Sequence, residues 1–227
     1  MARILALDTS TEACSVALID GEHIEERFVE APREHMLRLL PMVDELLAAH
    51  QLSLSQLDAI AFGRGPGSFT GLRICLAVVQ GLAFGADLPV LPVSTLAALA
   101  QGASAEPDAI ILAAIDARMD EVYCGWFRAG AEGLVHAVGE EAVLPPEQVV
   151  APTVAGTAPR LLGVGTGFTY GDRLRPCAFQ HIDAAALPRA RDVLTLALPA
   201  WQQGVTVSAE EAVPVYLRDQ VAWKKQG

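Results

Sequence analysis

The chain has almost no lysine and little positive charge. Lysine occurs only at Lys224 and Lys225, and 16 basic residues face 27 acidic ones, for a formal net charge of −11 over 227 residues. A protein that binds nucleic acid without a partner usually carries a stripe of basic residues that displaces counterions from the phosphates. The composition therefore argues against an independent nucleic-acid-binding protein.

Cysteine and histidine are also scarce, and their spacing excludes several kinds of site. The four cysteines form no CxxC pair, and none of the five histidines completes a metal-ligand spacing. No Gly-x-Ser-x-Gly elbow or Ser/His/Asp arrangement marks a hydrolase. Isolated cysteines inside apolar runs favour buried, reduced thiols in a cytoplasmic protein. They are Cys14, Cys75, Cys124 and Cys177.

Long apolar segments are missing as well. The first strand reaches an acidic side chain, Asp8, too early for a signal peptide. The longest apolar stretch, residues 74–86, contains Gln80 and is too short to span a bilayer. With 52% hydrophobic and 19% charged residues, the chain has the composition of a protein that buries a large core. We therefore expect a cytoplasmic protein without a membrane span.

Two similar units follow each other along the chain. Each begins with an apolar strand that ends in an aspartate, Asp8 or Asp116, and continues into a hairpin. A linker of small residues at 102–107 separates them. This duplication is the organisation of the actin, Hsp70 and sugar-kinase superfamily, so we predict a two-lobed α/β fold, with an N-terminal lobe over residues 1–103 and a smaller, degenerate C-terminal lobe over 104–227. The strands are predicted over residues 3–8, 15–19, 23–30, 57–63, 89–93, 109–115 and 122–128.

Two helices in the first unit carry long apolar faces. Over residues 33–50 apolar side chains recur every three or four positions, and Pro41 is expected to kink or break the helix. The helix over 72–85 is apolar on all sides, and only Arg73 and Gln80 are polar. Such a helix needs cover all round, either from the core of the chain or from another protein. Further helices are predicted after the Ser94-Thr95 cap and over 190–203.

The end of the first strand is one candidate for chemistry. In actin-like ATPases the residues at this position surround phosphate, and the aspartate reaches magnesium through water. Asp8, Thr9 and Ser10, with Asp116 in the second unit, form the corresponding phosphate-loop-like set. An ordinary turn closed by an aspartate or hydroxyl side chain has the same composition, so both interpretations remain open.

A glycine-rich run at residues 63–71 is the second candidate. It joins a strand to a helix, where backbone amides can hold an anion. It lacks the Lys-Ser/Thr ending of a Walker loop, and a rigid turn with Ser68 or Thr70 as helix cap explains it equally well.

The sequence resembles the TsaB (YeaZ) family at four places between residues 4 and 225. In order, these are ILALDTST at 4–11 with CSVAL at 14–18, GPGSFTGLR at 65–73 with QGLA at 80–83, DARMDEVY at 116–123, and PVYLR at 214–218 with VAWKK at 221–225. The resemblance implies an actin-like fold. It also implies a role in making threonylcarbamoyladenosine beside the anticodon of tRNAs that read codons beginning with A.

The same resemblance implies a subunit without an active site. The family pairs with its paralogue TsaD, which carries the chemistry, and works with the ATPase TsaE, so ATP and a metal ion are expected on those partners and no cofactor in this chain. TsaD binds its metal through His-x-x-x-His, whereas Thr95 and Leu99 stand at those positions here. Leucine cannot ligate a metal and threonine is a poor ligand. tRNA is expected to be reached only through the complex.

The resemblance also implies a docking surface. The helices over 33–50 and 72–85 are expected to bind TsaD, and to form a homodimer when TsaD is absent. The predicted contact residues are Met36, Leu40, Leu72, Cys75, Leu76 and Val79. The alternative function is an independent actin-like ATPase or small-molecule kinase built on Asp8 and Asp116.

Overall fold

The helices and strands alternate along the chain as an α/β protein. In the computed structural model the described residues are 2–103, 107–153 and 160–218, so Lys224, Lys225 and the VAWKK segment lie outside them. Short 3-10 turns occur at Leu54–Gln56, Pro146–Gln148 and Thr166–Arg173. The longer elements are β1 (Arg3–Asp8), β2 (Ala13–Asp20), β3 (His23–Glu30), α1 (His35–Ala49), β4 (Ala59–Gly63), α2 (Phe69–Ala86), β5 (Val90–Val93), α3 (Thr95–Gly102), β6 (Ile110–Arg118), β7 (Glu121–Ala129), β8 (Val135–Ala137), β9 (Ala142–Leu144), β10 (Leu161–Val164), β11 (His181–Asp183) and α4 (Ala190–Gln202).

The first sheet has the strand order β3-β2-β1-β4-β5. β1 is antiparallel to β2 and parallel to β4, and β4 is parallel to β5. The β2–β3 hairpin turns at the predicted place: Asp20 pairs with His23, and Gly21 between them has φ 70°. Glycine adopts this left-handed conformation without the steric penalty of a Cβ atom.

The second sheet repeats this arrangement. Its order is β11-β10-β6-β7-β8, with β9 also paired to β7. β6 is antiparallel to β7 and parallel to β10, as β1 is to β2 and β4. The predicted duplication is therefore confirmed at the level of strand topology, and Asp8 and Asp116 lie near the ends of the two equivalent strands.

Two helices cross between the sheets. Leu96 and Leu99 of α3 are buried against the second sheet, in the cluster that contains Ile111. Val193 and Leu194 of α4 are buried against the first sheet, although α4 follows the second sheet in sequence. A boundary at 103/104 therefore separates the two units in sequence, but the units share helices in space, because α3 packs against the second sheet and α4 against the first.

Helix α1 differs from the sequence prediction in two respects. It begins at His35 rather than at Arg33, since Arg33 has φ 68°, outside the helical region. It also continues through Pro41, so of the two predicted outcomes, a kink or a break, the break does not occur. Proline removes one backbone hydrogen bond inside a helix. Leu37 and Pro41 both lie on the exposed side, where water can satisfy the carbonyl group that proline leaves free.

Helix α2 is longer than predicted and only partly buried. Ser68 caps its start by accepting a hydrogen bond from the backbone N–H of Gly71 at 3.3 Å, which confirms the cap interpretation of the glycine-rich run. The predicted apolar stretch at residues 74–86 is too short to cross a membrane. The observed helix has 18 residues with a mean hydropathy of 1.5, which is long and apolar enough by length and composition alone. One side of α2 packs in the core of the first sheet, as in a globular protein, and the opposite side is exposed.

The predicted burial of the cysteines holds for three of the four. All four are free, and Cys14, Cys75 and Cys124 are buried, while Cys177 is partly exposed. Burial raises the pKa of the Cys14 and Cys124 thiols to about 11. A thiol with a raised pKa is a poor nucleophile at neutral pH, which is typical of a core residue.

Candidate partner surface and interlobe cleft

A cleft of about 1390 Å³ opens between the two sheets. The loop after β1, the start of α2, the β6–β7 turn and the 3-10 turn after β10 supply most of its walls. Residues near the C-terminal end of the described chain close one side. The lining side chains include Ser10, Thr11, Glu12, Arg33, Phe69, Thr70, Arg73, Asp116, Arg118, Met119, Thr166, Thr169, Tyr216 and Arg218.

Asp8 does not belong to this cleft, because its carboxylate points into the core. One oxygen accepts hydrogen bonds from the backbone N–H of Ser10 at 3.0 Å and from its hydroxyl at 2.7 Å. The other oxygen is buried without a partner and lies against Gly63, where an added Cβ would come closer than 3.0 Å. The Thr9 hydroxyl donates to the carbonyl of Gly71 at 2.8 Å. Asp8 thus closes an Asx turn on the backbone N–H of Ser10, and neither Asp8 nor Thr9 lines the cleft, so the phosphate-loop interpretation stays a prediction without support from these contacts.

Asp116 and Ser10 do reach the cleft, but their polar groups already have partners. Asp116 accepts hydrogen bonds from the backbone N–H of Arg118 at 2.9 Å, from its guanidinium at 2.8 Å and from the Tyr170 hydroxyl at 3.1 Å. The Ser10 hydroxyl donates to Asp8. Thr95 and Leu99 are buried, and the Thr95 hydroxyl accepts from the backbone N–H of Gly65 at 3.1 Å. Within the described ranges no group of three or more histidine, cysteine or acidic residues could hold a metal ion.

The buried carboxylate makes the stability of the chain depend on pH. Desolvation raises the pKa of Asp8 from 3.8 to about 6, against the opposing effect of its bonds to Ser10. Because the folded-state pKa lies above the unfolded one, the folded chain holds the extra proton between these values. Its free energy of unfolding therefore falls as the pH rises through that window.

We expect Asp8→Asn to remove this dependence. From about pH 5 to about pH 7.5 the wild-type chain should lose about 1.4 kcal/mol through Asp8, and the variant should not. Urea unfolding at several pH values measures the difference. Subtracting the two curves cancels the other titrating groups, including Asp192, whose pKa burial also raises to about 6. Parallel wild-type and variant curves would contradict the assignment.

The β6–β7 turn is the most strained part of the cleft wall. Three consecutive non-glycine residues, Arg118, Met119 and Asp120, have φ of 61°, 54° and 66°. Two arginines contact this turn: Arg173 donates to the Asp120 carboxylate from Nη1 and Nη2, and Arg218 donates to the carbonyl of Ala117 at 3.2 Å. A strained backbone conformation is retained only where neighbouring contacts hold it in place, and such positions are often functional sites. The sequence predicts a turn between these strands, but not its left-handed backbone, because Asp120 is the only one of the three residues whose type favours that conformation.

The second candidate site is the outer surface of α1 and α2, which pack side by side. On α1, Met36 is 75% exposed, Leu37 is 74% exposed and Leu40 is 44% exposed. On α2, Phe84 is 74% exposed, and Gly81 lies on the same outer side. Large apolar side chains exposed on two neighbouring helices are candidates for contact with another protein. We call this group, Met36, Leu37, Leu40, Gly81 and Phe84, the α1–α2 surface.

The structure corrects half of the predicted contact residues. Leu72, Cys75 and Val79 are at most 2% exposed, and Cys75 and Val79 belong to the core of the first sheet, so none of the three is on the surface that a partner would contact. Leu76 is partly buried, whereas Met36 and Leu40 are exposed. Phe84 was missed because α2 is apolar all round and its sequence does not indicate which side faces the core, and Leu37 was missed because it lies off the apolar face predicted for α1.

The fold and the cleft define an actin-like two-lobed α/β protein. The family model described as "TsaD: tRNA N6-adenosine threonylcarbamoyltransferase" matches residues 29–162. The chain is 46% identical over 226 residues to the tRNA threonylcarbamoyladenosine biosynthesis protein TsaB of Escherichia coli, covering 98% of this chain and 97% of that protein. Identity to the protein of the same name from Haemophilus influenzae is also 46%, over 98% of this chain and 96% of the relative.

A solved structure shows the same relationship. The structure described as YeaZ from Pseudomonas aeruginosa superposes with a TM-score of 0.89 at 52% sequence identity, covering 96% of this chain and all of that one. Identity and coverage of this extent establish a common family and fold. The chain belongs to the TsaB (YeaZ) family, within the wider family that the TsaD model describes.

Proposed function

We propose that this chain is a non-catalytic subunit for threonylcarbamoyl transfer to the adenosine beside the anticodon of tRNAs that read codons beginning with A. The full-length relatives carry names that place them in the biosynthesis of this modification. The proposed partners are TsaD, as a heterodimer, and TsaE. ATP and a metal ion belong to those partners in this proposal, and the complex works in the cytoplasm.

The α1–α2 surface is the observation that carries the proposal. Its apolar side chains are exposed although the inner sides of both helices already pack in the core of the first sheet, so they are free to contact another protein. Removing this surface from water on binding contributes about 25 cal/mol for each Å² of apolar area. Gly81, with no atom within 4 Å of an added Cβ, lets a partner approach the backbone of α2 closely. The same surface is proposed to form the homodimer when TsaD is absent.

The contacts of four residues support the proposal that this chain is non-catalytic and that its partner carries the chemistry. Thr95 and Leu99 stand where the paralogue has its metal histidines, and both are buried in structural roles. Asp8 faces the core and Asp116 is bound by Arg118 and Tyr170. These contacts make the alternative, an independent actin-like ATPase or small-molecule kinase, the weaker hypothesis.

Reconstitution tests the proposal directly. Purified TsaD, TsaE and the enzyme that makes threonylcarbamoyl-adenylate are combined with tRNA, with and without this chain, and modified adenosine is quantified. We expect product only when the chain is present. Equal product without it would overturn the proposal, and tight magnesium-ATP binding by the isolated chain would then favour the kinase hypothesis.

A further inference from the structure

The interlobe cleft concentrates positive charge that the net charge of the chain conceals. Of the 14 arginines in the sequence, four line this one cleft, together with only two carboxylates. The arginines come from four separate segments of the chain, so no basic stripe is visible in the sequence. They are Arg33, Arg73, Arg118 and Arg218, and the carboxylates are Glu12 and Asp116.

The four arginines are not equivalent. Arg118 forms ion pairs with Asp116 at 2.8 Å and with Glu12 at 3.3 Å, and Arg218 pairs with Glu121 at the base of the hairpin. Arg33 and Arg73 have no carboxylate within 4.0 Å among the described residues, and both are exposed. These two guanidinium groups are therefore available to bind a negatively charged ligand.

Aromatic rings lie next to these guanidinium groups. Phe69 is 52% exposed and Tyr216 is 39% exposed, and their ring centroids are 5.4 Å apart. The Arg73 guanidinium lies 3.8 Å from the centre of the Phe69 ring, and its Nε donates to the Tyr216 hydroxyl at 3.3 Å. Exposed rings beside unpaired arginines are the combination that binds single-stranded nucleic acid, where bases stack and phosphates pair. An acidic peptide would use the charge but not the rings.

We propose that the cleft binds a short single-stranded segment of RNA, with Arg33 and Arg73 on phosphates and the Phe69–Tyr216 pair beneath a base. The inference rests on the proposed function, because it assigns part of the tRNA to this chain rather than to its partner alone. Arg33 precedes the exposed Met36 by three residues, so the cleft opens beside the α1–α2 surface. RNA held by a partner on that surface lies next to the cleft.

Fluorescence anisotropy on the full chain tests the binding itself. The probe is a fluorescein-labelled single-stranded octaribonucleotide, titrated at several salt concentrations. We expect saturable binding, weakened at least about tenfold by the double variant Arg33→Ala/Arg73→Ala. The slope of log affinity against log salt should fall by about 1.4, since each phosphate contact to a single strand contributes about 0.7. Phe69→Leu should weaken binding about fivefold through lost stacking.

A matched double variant controls for charge. Arg128 and Arg191 are exposed arginines outside the cleft, and Arg128→Ala/Arg191→Ala changes the net charge by the same amount. It should stay within about twofold of the wild-type affinity. Absence of saturable binding, equal weakening by both double variants, or tighter binding of a glutamate octapeptide or magnesium-ATP than of the RNA would each overturn the inference. Far-ultraviolet circular dichroism confirms that every variant is folded.

The reconstituted reaction separates this inference from the proposed function. The cleft variant should raise the KM for tRNA while the KM for threonylcarbamoyl-adenylate stays unchanged. If the chain is required for product but neither binds the oligonucleotide nor changes the KM for tRNA in this variant, the subunit proposal stands and the cleft inference falls.

Discussion

Replacing Gly71 by alanine is expected to destabilise the chain strongly, whereas the same replacement at Gly81, in the same helix, is expected to stabilise it. A Cβ at Gly71 would meet the backbone carbonyl oxygen of Thr9 closer than 3.0 Å, a separation that real Cβ atoms essentially never show. The neighbouring backbone cannot move away easily, because the Thr9 hydroxyl is bonded to the Gly71 carbonyl at 2.8 Å. The clash therefore lies where α2 meets the end of β1.

The expected loss at Gly71 is at least about 4 kcal/mol, a large part of the 5–15 kcal/mol that stabilises a typical domain. At Gly81 an added Cβ meets nothing within 4 Å, and the residue lies in the exposed interior of the helix. Alanine is favoured over glycine there by about 1 kcal/mol. Urea unfolding followed by circular dichroism compares the two variants with the wild type. A Gly71→Ala midpoint close to that of the wild type would show that β1 and α2 can separate.

The double variant Met36→Ala/Leu40→Ala is expected to abolish most of the affinity for TsaD. Truncation of a central interface side chain costs on the order of 2 kcal/mol, so the pair should lose about 4 kcal/mol, or roughly a thousandfold in Kd. Stability of the isolated chain should change little, because Met36 is 75% exposed and Leu40 is 44% exposed before binding. Isothermal titration calorimetry measures the affinity, and sedimentation velocity measures the homodimer.

Two other exposed aliphatic residues provide the control. Val205 and Val213 are 62% and 60% exposed and lie outside α1 and α2, so Val205→Ala/Val213→Ala should leave the affinity within about twofold. An unchanged Kd for the Met36/Leu40 variant would move the interface elsewhere. Variants at Leu72, Cys75 or Val79 do not suit this test, since they would create cavities in the core and lower stability first.

The positions of most elements followed from local patterns. Strands β1, β3 and β7, the turn at Asp20-Gly21, the Ser68 cap and the helix at residues 190–202 all lie within a residue or two of the prediction. Each depends on a short run of side chains and on turn chemistry that act over a few residues. The short strands β8 to β11 were not predicted, and the effect of Pro41 was not decided by its local pattern either. Its effect depends on whether water reaches the carbonyl it leaves free, and that is a property of the folded surface.

The sequence by itself determined that the chain repeats one strand pattern twice and resembles the TsaB family along its length, with Thr95 and Leu99 at the positions where that resemblance implies the histidines of a paralogue. These properties depend on residue type and order. Only the tertiary structure decided which side of α2 is exposed, that Asp8 faces the core, and that four distant arginines share one cleft. The reason is physical: solvent exposure and electrostatic surroundings depend on which segments meet in space, and β1, α2 and the β6–β7 turn meet only after the two sheets have packed.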